Sequence, residues 1–361
     1  MQTDFLIIGG GIAGISAAAR LSHLGQVTLI EAEANLAYHA SGRSAALYEP
    51  HYGPPPIVAL SHASGDYLRG ANGGVLSPRG MMIVAGSHER AEFDRDRTVM
   101  EMDEITCDDA RAIVPILDPD SVRHVAWADH AWDIDTDRLI QNFLREARGN
   151  GAQVLTGARA TAIARTAAGW AVTTAQGLHQ GALLVNAAGA WAGQVAEMAG
   201  VPGPDFTPMR RSMARIPAPG GHDLSCWPMI FGVGETWYAK PDARALIVSP
   251  AEEHPMQPHD AWADDLVLAE GLARYEAQVT VPVTRLLASW AGLRTFSPDR
   301  VPLIGFAPSD PAFFWLAGQG GYGFQSSPAA SQLAADMIAG RPAALDQPSL
   351  AALSPQRFAG N

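Results

Sequence analysis

The sequence predicts an α/β (α+β) protein built from two domains. Three observations predict it. A strand, a helix and a second strand are readable within the first 30 residues, which is a βαβ unit and implies a parallel sheet. After about residue 153 the pattern changes to short strands punctuated by turn residues. The chain has 361 residues, beyond the roughly 250–300 at which single hydrophobic cores stop growing.

The elements follow in order. Phe5-Leu6-Ile7-Ile8 is an apolar run that stops at three glycines, as a buried strand does. Residues 12–24 are apolar and small and read as a buried helix, ended by Gly25. Val27-Thr28-Leu29-Ile30 is the second strand, and Glu31 ends it. Residues 39–53 are irregular, with Pro54-Pro55-Pro56 after them. A helix is expected over 57–68, a strand over 81–85 and a charged surface helix over 89–104. Another helix spans 135–148, capped by Asp135 or Thr136. From 153 to 180 short strands, including 162–164 and 170–173, suggest a three-stranded meander. A strand at 183–185 leads into Asn186-Ala187-Ala188-Gly189 and a helix from Trp191. Strands at 210–216, 236–239 and 245–249 belong to a second sheet. A helix lies within 258–280, a strand within 284–296 and another at 313–316. Gly320-Gly321 opens a helix to residue 338, and the Pro- and Ala-rich tail is expected on the surface. No repeat at a solenoid period is present.

Composition narrows the function. There are 25 Lys and Arg against 37 Asp and Glu, a net charge of −12, which argues against a partner that presents phosphate backbone, so no nucleic acid is expected. Only 17% of residues are charged while 36 are glycine, a balance that suits tight turns and close backbone approach around a buried ligand. Cys107 and Cys226 cannot build a disulfide framework or a Cys-only zinc site, and no metal is expected. The apolar stretch 5–19 is too short to span a bilayer comfortably. No basic segment precedes it and Asp4 is acidic, so neither a transmembrane segment nor a secretory signal is expected. A cytoplasmic location is expected.

Gly9-Gly10-Gly11-Ile12-Ala13-Gly14 matches G-x-G-x-x-G between a strand and a helix, with Glu31 at the end of the next strand. Gly9 permits the tight turn, Gly11 lets the backbone approach a pyrophosphate, and Gly14 lets helix and strand pack closely. The helix N-terminus offers unpaired N–H groups to phosphate oxygens. Glu31 can accept hydrogen bonds from ribose hydroxyls. The unit is a Rossmann-like dinucleotide site, and it leaves FAD and NAD both open.

Four further segments carry a resemblance: Tyr38-His39-Ala40-Ser41-Gly42-Arg43-Ser44-Ala45-Ala46, Asn186–Trp191, Trp290-Ala291-Gly292-Leu293-Arg294, and Gly318-Gln319-Gly320-Gly321-Tyr322-Gly323. With the glycine motif they make the chain resemble the D-amino-acid oxidase (glycine oxidase, sarcosine oxidase) superfamily of FAD enzymes over nearly its whole length. Within that group it looks most like FAD-dependent D-amino acid dehydrogenases acting on D-arginine and related substrates. The resemblance implies a Rossmann-like FAD-binding domain from residues 1–75, 136–204 and 297–361. Interleaved with it is a smaller substrate domain with a mixed β-sheet, from 76–135 and 205–296. It implies that Ser41, Arg43, Ser44, Ala45 and Ala46 line the pyrophosphate and flavin ring, and that Ala160, in a strand after Gln153-Val154-Leu155, meets the adenine through main chain. Gly189 lets the backbone pass close to the cofactor. Gly320, Gly321, Tyr322 and Gly323, with Gln325 in the helix they open, set a helix N-terminus against the flavin C2 carbonyl, where reduced flavin gathers negative charge. Neither cysteine lies in a flavin-side motif, so the FAD is expected to be non-covalent.

On the substrate side the resemblance implies that Arg211 and Arg294 bind the substrate carboxylate, for which the planar guanidinium fork is suited. Tyr238 adds a phenolic hydrogen bond and Tyr52 shields the site, while Met229 and Phe231 line the side-chain pocket. Arg294 stands in a mainly apolar stretch without an acid, and Arg210 faces away from Arg211 if this is a strand. Two positions depart from close relatives: Leu47 replaces a histidine, and Met81 stands where relatives that prefer cationic side chains carry an acid. A less cationic substrate is therefore expected. Glu49 and His51 are either new polar groups of the pocket or solvent-facing loop residues.

The expected chemistry is hydride transfer from Cα to flavin N5, giving an imino acid that hydrolyses to a 2-keto acid and ammonia. The cofactor carries the redox step and the protein orients. The expected acceptor is a quinone or another carrier rather than O2. Rival readings are an O2-using D-amino acid, glycine or sarcosine-type oxidase, a 2-hydroxy acid dehydrogenase, a nicotinamide enzyme, and a non-catalytic flavin-binding subunit.

Overall fold

A computed structural model describes residues 2–359. In its first large sheet five parallel strands lie in the order Gln153–Leu155, Val27–Ile30, Gln2–Ile8, Gly177–Asn186 and Asp310–Ala317. Strands covered on both faces must be apolar throughout, which is why Val27–Ile30 is buried at every position. Leu303–Ala307 pairs antiparallel with the last strand.

Gly177–Asn186 is the junction of this sheet. Its first half closes an antiparallel meander with Gly169–Thr174 and Ala162–Thr166. Its second half runs parallel between Gln2–Ile8 and Asp310–Ala317. The separate strand expected at 183–185 is thus the end of one longer strand. Gln153–Leu155 stands apart from the meander, at the far edge beside Val27–Ile30.

Helices Ile12–Leu21, Thr136–Gly149 and Gly323–Ile338 pack together on one face of this sheet, around Ile15, Leu21, Phe143, Phe314 and Leu333. Asp135 caps the second of them, its carboxylate accepting the Arg138 N–H at 2.9 Å. The first helix is shorter than expected, because Ser22–Gly25 already turns back toward the next strand.

The second large sheet is mixed. Its strands run His254–Pro255, Thr207–Pro217, Ala245–Ser249, Tyr238–Asp242, Met229–Gly232, Met81–Ala85, His124–Ala128 and Asp103–Ile105, with Ala288–Phe296 also on Thr207–Pro217. Met229–Gly232 and Met81–Ala85 are the parallel pair. A small third sheet joins Leu47–Tyr48, Trp132–Ile134 and Leu76–Pro78. Among the described residues no helix is long and apolar enough to cross a membrane.

Several expectations are corrected. The charged helix stops at Val99 rather than 104: Glu101 takes a left-handed φ of 51°, and a strand, Asp103–Ile105, follows. The helix expected within 258–280 is present as Asp265–Glu276, started by Asp264, whose carboxylate accepts the Leu266 and Val267 N–H groups. The tail lies largely at the surface, but it forms helix Gln347–Leu353 and buries Leu353 in the first core. Ala160 lies in the loop between two strands and not in a strand.

Candidate active site

The glycine turn is built as its spacing requires. Gly9 has φ 107°, and a Cβ there would fall 2.3 Å from the Ala187 carbonyl oxygen. A Cβ on Gly14 would fall 1.9 Å from the Gly9 carbonyl oxygen. The helix starting at Ile12 has no side-chain cap on Gly11, and the Ile12 N–H donates to Ser41 Oγ at 3.0 Å. Its N-terminal N–H groups therefore face an open cleft.

That cleft runs from Glu31 and Ala160 past Gly9, Gly11 and Ser41 to Gly189 and Gly292. Glu31 is held in place at one end: Oε2 accepts the Gly10 N–H at 2.6 Å and Oε1 the Glu33 N–H at 2.7 Å. Gly189 adopts φ 53° on the opposite wall. Arg43 lines the cleft, but its guanidinium turns to the protein. It donates to Ala261 O at 2.7 Å, to Ala291 O at 2.9 Å and to the Asp260 carboxylate. Those bonds fasten the Tyr38–Arg43 segment to the loop before Asp264 and to strand Ala288–Phe296, so its charge is already spent.

The cleft continues into a slot lined by Ile12, Ala13, Ser44, Arg211, Met213, Arg294, Thr295, Gly320, Gly321 and Gly323. Arg211 is 3% exposed. Its Nη2 donates to Glu253 Oε1 at 3.2 Å, while Nε and Nη1 are buried without a partner, as is Thr295 Oγ1. Orphaned buried donors are costly, and here they sit on the wall of a slot. The two neighbouring arginines do diverge. Arg210 instead meets His254 Nδ1 at 3.2 Å and Glu252 at 3.6 Å.

Beyond the slot lies a small, partly enclosed chamber. Leu47, Met81, Met100, Met229 and Phe231 supply apolar walls, and Arg294, Tyr52, Tyr238, Glu49 and Glu235 supply polar groups. Arg294 and Gly321 line both spaces, and a Cβ on Gly321 would fall 2.9 Å from Arg294 Nη1. Burial opposes the Arg294 charge, and the charge of the nearby Glu235 carboxylate supports it. Tyr238 is 1% exposed and its hydroxyl donates to Met213 Sδ at 3.2 Å. The Tyr52 hydroxyl donates to Glu235 Oε1 at 2.5 Å. Burial, reinforced by the Glu235 carboxylate, keeps that phenol protonated well above its ordinary range.

The expected site residues thus divide. Gly9, Gly11, Glu31, Ser41, Arg43, Ala160 and Gly189 come together in the cleft. Ile12, Ala13, Ser44, Gly320, Gly321, Gly323, Arg211 and Arg294 come together in the slot. Ala45, Ala46, Tyr52, Tyr238 and Gln325 line the chamber. Tyr322 lines none of these spaces and packs on Tyr52, ring centroids 5.3 Å apart. Arg211 reaches the slot and not the chamber. Glu49 is no solvent-facing loop residue, being 2% exposed. Sequence reading missed Glu235, Met100 and His130. A turn Gly232-Val233-Gly234 before Tyr238 is a signal for Glu235, whereas nothing local marks the other two.

Comparison with known proteins agrees with this geometry. The DAO family profile, described as FAD dependent oxidoreductase, matches residues 4–337. Glycine oxidase of Bacillus licheniformis is 26% identical, over 94% of this chain and 94% of that protein. Human mitochondrial sarcosine dehydrogenase is 25% identical over 94% of this chain, which spans 40% of that longer protein. The crystal structure of glycine oxidase from Geobacillus kaustophilus superposes with a TM-score of 0.84 at 22% identity, covering 99% of this chain and 100% of that one. FAD suits the space: a carboxylate at one end, an uncapped helix N-terminus in the middle, and a slot whose walls hold the unpartnered Arg211 and Thr295 atoms. The chain belongs to the DAO family of FAD-dependent oxidoreductases.

Proposed function

We propose that the protein is a D-amino acid dehydrogenase that oxidises a substrate less cationic than D-arginine, with non-covalent FAD, in the cytoplasm. Cofactor binding falls to residues 1–75, 136–204 and 297–361, and substrate binding to 76–135 and 205–296. Electrons leave to a quinone or another carrier. When bound, FAD supplies the oxidant that accepts a hydride from the substrate Cα.

The observation that carries the reading is Arg294. A guanidinium without a carboxylate partner stands where slot and chamber meet, above Gly321. A substrate carboxylate completes it with two parallel charge-assisted bonds. That pairing holds the α-carbon at the slot, and the side chain then points among Leu47, Met81, Met229 and Phe231. Tyr52, held protonated by burial and by Glu235, lines the chamber together with Tyr238. The chamber's buried acid, Glu49, is already matched by two histidines, and its other carboxylate, Glu235, is exposed and accepts the Tyr52 hydroxyl. Relatives named glycine oxidase support the second reading, an O2-using glycine or sarcosine-type oxidase. The apolar walls favour a substrate with a side chain.

The test is anaerobic bleaching of the flavin by a panel of D- and L-amino acids, N-methyl amino acids and 2-hydroxy acids. Neutral, apolar D-amino acids are expected to bleach it and their L-enantiomers not. A flavin untouched by every D-amino acid sinks the proposal. Rapid O2 consumption with the same substrate transfers the reading to an oxidase.

A further inference from the structure

We propose that Glu49, His51 and His130 form a proton exit from the substrate chamber, with Glu49 taking the proton that the substrate ammonium must lose. The proposal rests on the amine-oxidation reading above. An amino acid arrives as an ammonium ion, and its nitrogen lone pair is needed to expel hydride from Cα. The chamber must therefore contain a group that accepts a proton and a route that carries it away.

Glu49 is 2% exposed and lines the chamber with Arg294, Tyr52 and Tyr238. Its Oε1 accepts the His51 N–H at 2.9 Å and lies 3.1 Å from His51 Nδ1. Its Oε2 lies 2.9 Å from His130 Nδ1. Both rings therefore turn Nδ1 inward. Both turn Nε2 outward, to Glu101: His130 Nε2 is 3.3 Å from its carbonyl oxygen, and His51 Nε2 is 3.5 Å from its carboxylate. The Glu101 side chain is 70% exposed, and those of His51 and His130 are 18% and 22% exposed. Each imidazole thus spans from a buried carboxylate to solvent, and an imidazole can gain a proton at one nitrogen while losing one from the other.

The remaining groups around the cluster leave Glu49 this task. Glu235, the chamber's other carboxylate, is exposed and accepts the Tyr52 hydroxyl. Arg294 has no acceptor atom. His62, on helix Pro55–Gly70, stands 5.3 Å from the His51 ring, farther from the chamber. Gln325 is neutral and holds the loop: its Oε1 accepts the Glu49 N–H at 3.2 Å, and its Nε2 donates to Ser61 Oγ at 3.0 Å.

The step balances. One ammonium N–H bond breaks and its electron pair stays on nitrogen as the free amine. The proton forms an O–H bond at Glu49, and the imidazolium beside it, no longer facing a carboxylate charge, breaks its outward Nε2–H bond and gives that proton to water. Nothing is oxidised or reduced, and one proton reaches solvent per substrate bound.

The holoenzyme, Glu49→Gln and His130→Asn test this in two ways. First, 2-aminoisobutyrate, an amino acid with no hydrogen on Cα, is bound at pH 7 in buffers of different ionisation enthalpy. The parent protein is expected to release about one proton per molecule bound and Glu49→Gln about none. Second, flavin reduction by a bleaching D-amino acid is followed from pH 6 to 10.5. Glu49→Gln is expected to be slower by about 100-fold at pH 7, the usual scale of acid–base assistance, and to come within about threefold of the parent at pH 10.5. There the substrate arrives as a free amine. His130→Asn, which keeps His51, loses about tenfold at pH 7 with the same convergence, and it carries the test if Glu49→Gln fails to fold. A loss equal at every pH, no loss at pH 7, or unchanged proton release overturns the relay alone. A parent flavin that no amine reduces overturns the amine reading and the relay together.

Discussion

Gly14→Ala perturbs the cofactor turn by a single methyl group. Its Cβ would lie 1.9 Å from the Gly9 carbonyl oxygen and 3.1 Å from the carbonyl carbon, against an ordinary contact of 3.4 Å or more. Helix and turn must therefore separate by about 3.4 − 1.9 = 1.5 Å, and the obstacle is backbone, which cannot rotate aside. Overpacking of this kind costs about 1–3 kcal/mol. The shift falls on the turn and N–H groups that face the phosphates, so the cost appears in cofactor binding. At about 1.4 kcal/mol per decade, that cost is a loss of about 5–150-fold in FAD affinity. The assay is quenching of FAD fluorescence on titration with apoprotein, with thermal unfolding followed in parallel. Gly193→Ala is the control. It lies inside helix Ala192–Ala199, and a Cβ there meets nothing within 4 Å. That variant should bind FAD as the parent does and gain about 0.5–1 kcal/mol of stability from helix propensity. Gly14→Ala binding FAD within about threefold of the parent would refute the reasoning.

Other expectations follow from the same geometry. Arg294→Lys keeps the charge but loses the fork, and at about 1.5–3 kcal/mol for a charged hydrogen bond the KM should rise about 10–100-fold. FAD affinity should be unchanged, and a KM that does not move discounts the carboxylate role. Gly321→Ala, whose Cβ crowds Arg294 Nη1 at 2.9 Å, should raise KM by a smaller factor, because the obstacle is the movable end of a side chain. A third expectation concerns pH. The Glu49 carboxylate beside His130 raises that imidazole from 6.5 to about 9. A raised folded-state value means the stabilisation is whole below pH 6.5 and disappears as pH rises through about 9. The parent melting temperature should fall over that window, and the fall should be shallower in Glu49→Gln. Identical slopes in the two proteins would remove the Glu49–His130 pair as the cause.

The legible parts of this protein are the ones whose physics is local. The turn at Gly9, Gly11 and Gly14 is specified by three missing side chains within six residues, and the strand–helix–strand unit around it by apolar runs and a stop. Glu31 follows at a distance set by the length of one helix and one strand. Asp135 marks its helix because a cap acts on N–H groups three residues away. The charged helix was harder to delimit, since its break at Glu101 depends on a left-handed residue that no glycine announces.

Sequence alone therefore determined the class of fold and the presence of a dinucleotide site, and it singled out Arg294 as a buried cation in an apolar strand. The tertiary structure decided how charges are matched across long separations. Arg43 spends its guanidinium on Asp260, Ala261 and Ala291, and Arg211 faces the slot with two donors unpartnered. Glu49, from a short loop, is sealed between its neighbour His51 and the distant His130. Charge matching between distant segments depends on which loops the sheets bring together. A linear pattern records the reach of a helix or a turn, but not the burial that turns an ordinary surface acid into the proton-accepting wall of a chamber.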